Sequence, residues 1–440
     1  MKKQEIIKLN LDSLCVYKKI FSENTGDKFT KLVDKMNKYS SVNEVISAYN
    51  DFTYELFKSS KSLSFKESIV DEILLDHNPY SLGLELNGEV PKYTIQGIKS
   101  ELQNISDILK VNSKDIKSMI IDEFSDDEEI IDRINSLIDW GIESIEYVPH
   151  NGMAYEKIKA VLMNSDNWGE CVDELSAFHR DNGTGRASAY AAFVWERFDN
   201  EEEGHLREII EPDPIRLSDL IGYEEQQEII KNNTINLLKG IPANNLLLYG
   251  SRGTGKSSTV KAILNEYYEQ GLRLIEVDKS QLSDFTRIIR LLRHKKQKFI
   301  IFVDDLVFQE GEEGYSALKT ILEGRIENRP DNILIYATTN RRHLIKEKFS
   351  DRDDIHYRDT QEEQLSLADR FGITVSFLTP NQNEFLYIVN SLVKSRNLEV
   401  DVEYIKQEAI KWSQWYNGRS PRAARQFVDW LEGQLSKDKQ

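Results

Sequence analysis

The chain has 440 residues, too many for one typical domain, so two or three domains are expected. With 40% hydrophobic and 10% aromatic residues it is not a disordered composition, and it can bury substantial cores. A formal net charge of −17 works against broad, sequence-blind binding to nucleic acid, whose affinity comes from neutralising phosphates.

The opening, MKKQEIIKLNLDSL, is basic but lacks a continuous apolar stretch, so no secretion signal is expected. Apolar runs such as Phe299 to Val303 are too short to span a bilayer, and a cytoplasmic protein is expected. Cys15 and Cys171 stand far apart without a CxxC or Cys/His cluster, and read as buried thiols of a reducing compartment. Residues up to about 203 read as helices. Phe29, Leu32, Val33 and Met36 recur at helical spacing, as do Val42, Val45, Ile46 and Tyr49. Further on, Ser125 and Glu128 read as a capping box ahead of an apolar face through Ile131, Ile134 and Ile138.

The stretch HRDNGTGRASAYAAFVWERF, residues 179–198, reads as a tight glycine turn followed by an alanine-rich helix bearing Tyr190, Phe193, Val194 and Trp195. Two readings stand for it: a packed helix, or a docking surface. Acidic residues, glycine and two prolines in residues 200–214 then read as a linker. The expected division is a mainly helical domain over 1–205, an α/β domain over 206–378 and a helical domain over 379–440.

From Asp219 onward strands alternate with helices, the pattern of a parallel sheet. Strands are expected over 246–249, 272–277, 299–303 and 332–337, as nearly continuous apolar runs suited to a sheet covered on both faces. The first leads into Gly250-Ser251-Arg252-Gly253-Thr254-Gly255-Lys256-Ser257-Ser258, which matches G-x-x-x-x-G-K-[ST]. In such a loop successive backbone N–H groups curl around phosphates, and the N-terminus of the following helix favours the same anion. Lys256 would neutralise the outer phosphates. The Ser257 hydroxyl suits the oxygen shell of Mg²⁺.

Phosphoryl transfer needs metal, positioning and positive charge more than covalent help, so the rest of the chain can be searched for those parts. Asp304 and Asp305 end an apolar strand at its carboxyl edge, the ligand position of open α/β sheets. Asp304 suits a Mg²⁺ shell, and Asp305 is the candidate to polarise water. Asn340 ends another strand, with an amide able to hold that water. Arg370 lies in SLADRFG, and Arg422 in NGRSPRAARQF, where Ser420 and Pro421 suit a helix start. Residues 287–298, RIIRLLRHKKQK, offer either a solvated helix face or subunit contact, or a surface for nucleic acid or an acidic partner.

This series resembles an AAA+ ATPase. LSDLIGYEEQ, with Ile221 and Gly222, is similar to the entry segment that cups adenine. GSRGTGKSS resembles the Walker A loop, FIIFVDD the Walker B strand, and Asn340 stands at the sensor-one position. Arg370 matches the arginine finger and Arg422 the sensor-two arginine of a helical lid. The phrases PANNLLLYGSRGTGKSSTVKAILNEY, IYATTNRRHLI and LSLADRFG resemble more closely a bacterial AAA+ family of unknown function known only as ATP-binding, over roughly Phe193 to the C-terminus. The resemblance implies a P-loop α/β fold, ATP and Mg²⁺ as ligands, and a homo-oligomer in which Arg370 reaches a neighbour's γ-phosphate. It also implies an unidentified protein client. Two departures matter. Aspartate stands at 305 where most such enzymes carry glutamate, with Glu310 or Glu313 as possible substitutes. No aromatic-glycine pore loop precedes the Walker B strand, which argues against a polypeptide-threading unfoldase.

Overall fold

The computed structural model describes residues 2–36, 39–59, 64–124, 127–141, 152–197, 204–308, 313–323, 330–340, 370–415 and 418–437. The chain forms two compact units, Met1–Tyr190 and Ala191–Gln440.

The first unit is helical among its described residues. Its helices are α1 (Lys3–Asp12), α2 (Asn24–Lys35), α3 (Val42–Ser59), α4 (Phe65–Leu75), α5 (Pro79–Asn87) and α6 (Lys92–Leu109). They continue with α7 (Ser113–Phe124), α8 (Glu128–Asn135), α9 (Met153–Asn164), α10 (Val172–Asn182) and α11 (Arg186–Ala189). The periodic apolar residues of α2 and α3 meet an edge-to-face aromatic cluster: Phe52 lies 5.4 Å from Phe29, 5.1 Å from Phe65 and 5.2 Å from Trp140. Such pairs add roughly 0.5–1.5 kcal/mol each beyond area burial. Buried Lys159 on α9 is compensated by Glu67 at 2.8 Å and Asp71 at 2.9 Å, which tie α9 to α4. Two expectations change here. The cap of α8 is Asp127, whose carboxylate accepts the Glu129 N–H at 2.9 Å, and Ser125 lies outside the described residues. Cys15 is exposed, while Cys171 is buried.

The second unit is an α/β sandwich with a helical appendage. Its strands are β1 (Ala192–Glu196), β2 (His205–Ile209), β3 (Leu246–Gly250), β4 (Leu272–Glu276), β5 (Lys298–Val303), β6 (Ile333–Thr339) and β7 (Ile373–Phe377). Among the described residues they form one sheet in the order β2-β1-β4-β5-β6-β3-β7. All neighbours run parallel except β1 and β2. The helices are α12 (Glu224–Leu238), α13 (Lys256–Tyr267), α14 (Phe285–Leu292), α15 (Glu313–Glu323), α16 (Gln382–Ser395), α17 (Val402–Trp415) and α18 (Pro421–Lys437). In β5 every residue from Phe299 to Val303 is at most 1% exposed, as a strand between two helical layers requires.

The expected helix through Phe193 and Trp195 is instead strand β1, and the expected linker contains strand β2. Tertiary pairing decides both. Ala192 to Val194 lie in parallel register with Leu274 to Glu276 of β4, and Trp195 and Phe193 are buried against the sheet. The Trp195 indole N–H donates to the buried Asp284 carboxylate at 3.1 Å, and Arg197 pairs with the same group at 3.1 Å. The division between units therefore falls at residues 190/191, not 205/206. Helices α16 to α18 share an apolar core of their own, including Phe385, Val389, Ala409, Phe427 and Leu431. No described helix is long and apolar enough to cross a membrane.

Candidate active site

The strand order explains why motifs far apart in sequence converge. β6 lies between β5 and β3, so the carboxyl ends of three adjacent parallel strands present Asp304, Asn340 and the glycine loop side by side. The loop leaves β3 at Gly250, whose φ of 145° and packing against β7 leave no room for a side chain: a Cβ there would stand 2.0 Å from the Phe377 carbonyl oxygen. It closes at Gly255, left-handed at φ 94°, which caps α13. Its Thr254 is buried, and the Ser251 hydroxyl meets that of Thr379 at 2.7 Å.

Lys256, only 6% exposed, donates to the carbonyls of Gly250 and Ser251, each at 2.8 Å, and to Asn340 Oδ1 at 3.1 Å. Burial pushes its ammonium below the usual lysine range. The Asp304 and Asp305 carboxylates oppose that shift, while Arg252 and Arg422 add to it. Asn340 completes a relay by donating through Nδ2 to Asp305 Oδ1 at 2.6 Å. Its amide orientation is thereby fixed, oxygen toward the ammonium and nitrogen toward the carboxylate. Beside this relay, the Ser257 hydroxyl donates to Asp304 Oδ1 at 2.6 Å.

A cavity of 190 Å³ adjoins the loop. It is lined by Ile221, Gly222, Gly253, Gly255, Ser258 and Arg422, among others. The Gln227 amide of α12 ties down the segment before that helix, donating to the carbonyls of Leu220 at 2.9 Å and Gly222 at 3.0 Å. Tyr223, in a left-handed conformation at φ 63°, packs its ring 5.1 Å from Phe377 and donates its hydroxyl to the Leu378 carbonyl. Arg422 stands in the first turn of α18, where Ser420 Oγ accepts the Ala423 N–H at 3.1 Å as a helix cap. The Arg422 N–H itself donates to the Gly253 carbonyl at 3.2 Å, tying this helix to the glycine loop.

The structure thus gathers Lys256, Ser257, Asp304, Asp305, Asn340 and Arg422 at one edge of the sheet. Arg370 is elsewhere. It precedes the amino end of β7, whose carboxyl end pairs with Gly250; four strand steps of roughly 3.3 Å separate those ends. Glu310 lies outside the described residues, as do residues 341–369. Sequence reading missed Thr338, Tyr223 and Gln227. Thr338 offered one signal, a hydroxyl near the carboxyl end of its strand two residues before Asn340; Tyr223 lies inside LSDLIGYEEQ beside Ile221 and Gly222, and Gln227 directly follows that segment.

Residues 188–435 match the family model described as "Protein of unknown function (DUF815)", more than half of the chain. The chain belongs to the DUF815 family. Among curated proteins, this DUF815 member is 21% identical over 239 residues to a probable spastin homologue of Brugia malayi, covering 49% of this chain and 48% of that protein. It is 33% identical over 122 residues to the replication factor C large subunit of Nanoarchaeum equitans, covering 25% of this chain and 27% of that one. The chain therefore spans about half the length of the first relative and about a quarter of the second. Among solved structures, the RuvB Holliday junction branch migration motor of Thermotoga maritima aligns at 18% identity, with a TM-score of 0.36, over 51% of this chain and 67% of that one. Within the DUF815 family this chain carries its G-x-x-x-x-G-K-[ST] loop on a mostly parallel seven-stranded α/β sheet, with helical regions beside it.

Proposed function

We propose that this DUF815 chain is a magnesium-dependent ATPase whose turnover remodels or assembles a protein partner. The observation that carries the reading is the convergence of two polar chains on the glycine loop, Lys256–Asn340–Asp305 and Ser257–Asp304. An ammonium, an amide and a carboxylate in series are the parts that hold a γ-phosphate and the water attacking it. The donor set fits Mg²⁺, since a hydroxyl and a carboxylate 2.6 Å apart offer oxygen ligands beside a loop built for phosphates. When bound, the ion would neutralise charge on the β- and γ-phosphate oxygens.

In this reading Ile221, Gly222 and the cavity beside them receive adenine. The backbone N–H groups of residues 250–258 cradle the phosphates, and Lys256 turns from its own loop carbonyls toward them. Asn340 orients a water, and Asp305 accepts its proton as the water oxygen bonds to the γ-phosphorus. The bond to the bridging oxygen breaks, leaving ADP and inorganic phosphate. Arg422 closes α18 over the same nucleotide. Arg370, at the far edge of the sheet, serves the site of an adjacent copy, which makes the active form a homo-oligomer.

Steady-state turnover with Mg²⁺ tests the proposal. Asp305→Asn is expected to lose at least a hundredfold in kcat while still binding ATP. If wild type and Asp305→Asn turn over equally, at background, the protein is instead a switch gated by nucleotide binding. Its aspartate at 305, one methylene shorter than glutamate, is the feature that favours this second reading. Whether the partner is a nucleic acid is decided by binding to single- and double-stranded DNA at low salt with ATP present.

A further inference from the structure

We propose that Thr338 is a positioning residue that sets the reach of Asp305, and so lets an aspartate serve where a longer side chain would otherwise be needed. This rests on the reading of Asp305 as the group that activates water.

Consecutive residues of an extended strand point to opposite faces of a sheet. Asp304 and Asp305 follow β5 directly, yet both carboxylates face the glycine loop: Asp304 accepts from Ser257, and Asp305 accepts from Asn340, which holds Lys256. The backbone makes this possible by turning at Asp305, which is left-handed at φ 48°. Aspartate enters that conformation more readily than most residues but still at a cost, which its surroundings must offset.

Thr338 is what holds it. The residue is 2% exposed in the middle of the sheet, on the strand between the carboxylates and the glycine loop. Its hydroxyl accepts the Asp305 N–H at 3.0 Å and spends its one proton on Asp304 Oδ1. Its carbonyl accepts the Leu306 N–H at 2.7 Å. Three successive residues, 304 to 306, therefore hang on this one side chain and its backbone. Without the hydroxyl, the Asp305 amide loses its acceptor and Asp304 loses one of two donors. The turn is then free to relax toward the extended form that carries the Asp305 carboxylate away from Asn340. The missing methylene of aspartate is made up by backbone direction, and the hydroxyl fixes that direction.

The test compares Thr338→Val, which keeps the branched shape and removes the hydroxyl, with Thr338→Ser, which keeps the hydroxyl. Full-length protein is assayed with ATP and Mg²⁺, with nucleotide affinity measured separately by calorimetry. Thr338→Val should lower kcat ten- to a hundredfold with affinity changed less than threefold, and Thr338→Ser should retain at least half of the wild-type rate. Amide exchange at Asp305 should be slow in wild type and in Thr338→Ser, and fast in Thr338→Val. Adding Asp305→Glu to Thr338→Val should recover at least a threefold gain over Thr338→Val, because the longer side chain restores reach. Adding Asp305→Asn to it should cost nothing beyond Asp305→Asn alone. Should Thr338→Val not fold, Thr338→Ala enters the same comparison.

The proposal is overturned if Thr338→Val turns over within twofold of wild type while Asp305→Asn is inactive. It is also overturned if Thr338→Val causes the same fractional loss with Asp305→Asn already present, since a merely structural role gives that result. If Asp305→Asn turns over as fast as wild type, the assignment of Asp305 fails first and the proposal for Thr338 falls with it.

Discussion

Replacing Asn340 with alanine cuts the relay at its middle and leaves both ends in place. The amide contributes two bonds to charged groups, to Asp305 at 2.6 Å and to Lys256 at 3.1 Å. Enclosed bonds of that class contribute roughly 1.5–3 kcal/mol each. Here Asp305 is exposed and Asn340 half-buried, so water replaces much of the loss, and a net destabilisation of about 1 kcal/mol is expected. For a unit of this size that is a fall in Tm of about 2–4 °C. Turnover should suffer far more, because a preorganised donor aimed at the reacting atoms contributes on the order of 10²–10³ in kcat. Lys256 keeps its bonds to Gly250 and Ser251, and the loop keeps its shape, so ATP affinity should stay within about threefold by the same accounting. The assay is steady-state hydrolysis beside calorimetric binding on the same preparation. A kcat within twofold of wild type would refute the relay. An equal loss in affinity and turnover would make Asn340 a binding residue with no special part in the chemical step.

Arg370→Ala should leave nucleotide affinity unchanged and reduce kcat by roughly 10³-fold. Mixing it with an inactive Lys256→Ala chain should restore part of the rate, because the second chain supplies the arginine; no recovery in mixed oligomers would contradict a role in the neighbouring site. Gly250→Ala should lose about 4 kcal/mol or more and fail to fold its unit in thermal scans, since the new methyl meets the Phe377 oxygen at 2.0 Å; an unchanged Tm would contradict the close approach of β3 and β7. The depressed lysine gives a signed pH dependence. Protonated Lys256 attracts the triphosphate, so affinity is full below its pKa in the free protein and is lost as pH rises through it. That loss should begin below the ordinary value of 10.5 in wild type and be absent in Lys256→Met, as followed by calorimetry between neutral and alkaline pH.

What the sequence made legible follows from how local each signal is. The glycine loop is contiguous, and each glycine answers a backbone need visible in the pattern, so Gly250 to Ser258 could be read directly. Asp304, Asp305 and Asn340 were legible because each ends an apolar run, and parallel strands present their carboxyl ends together. The strand β1 was not. Ala192, Phe193, Val194 and Trp195 follow an alanine-rich segment, and a five-residue apolar run suits helix or strand equally until pairing with β4 settles it. Thr338 gave only a faint signal for a related reason: a buried threonine in a strand usually reads as a filler of the right shape. Only the approach of residues 304 to 306 gives its hydroxyl two partners.

The most direct measurement is calorimetric titration of the full, folded chain with ATP and Mg²⁺, alongside Lys256→Ala. One nucleotide should bind per chain, with affinity at least about tenfold weaker in the variant, the loss of one charged contact to phosphate. Wild-type protein that is folded by circular dichroism yet takes up no nucleoside triphosphate would contradict the assignment of the 250–258 loop, and with it the ATPase reading.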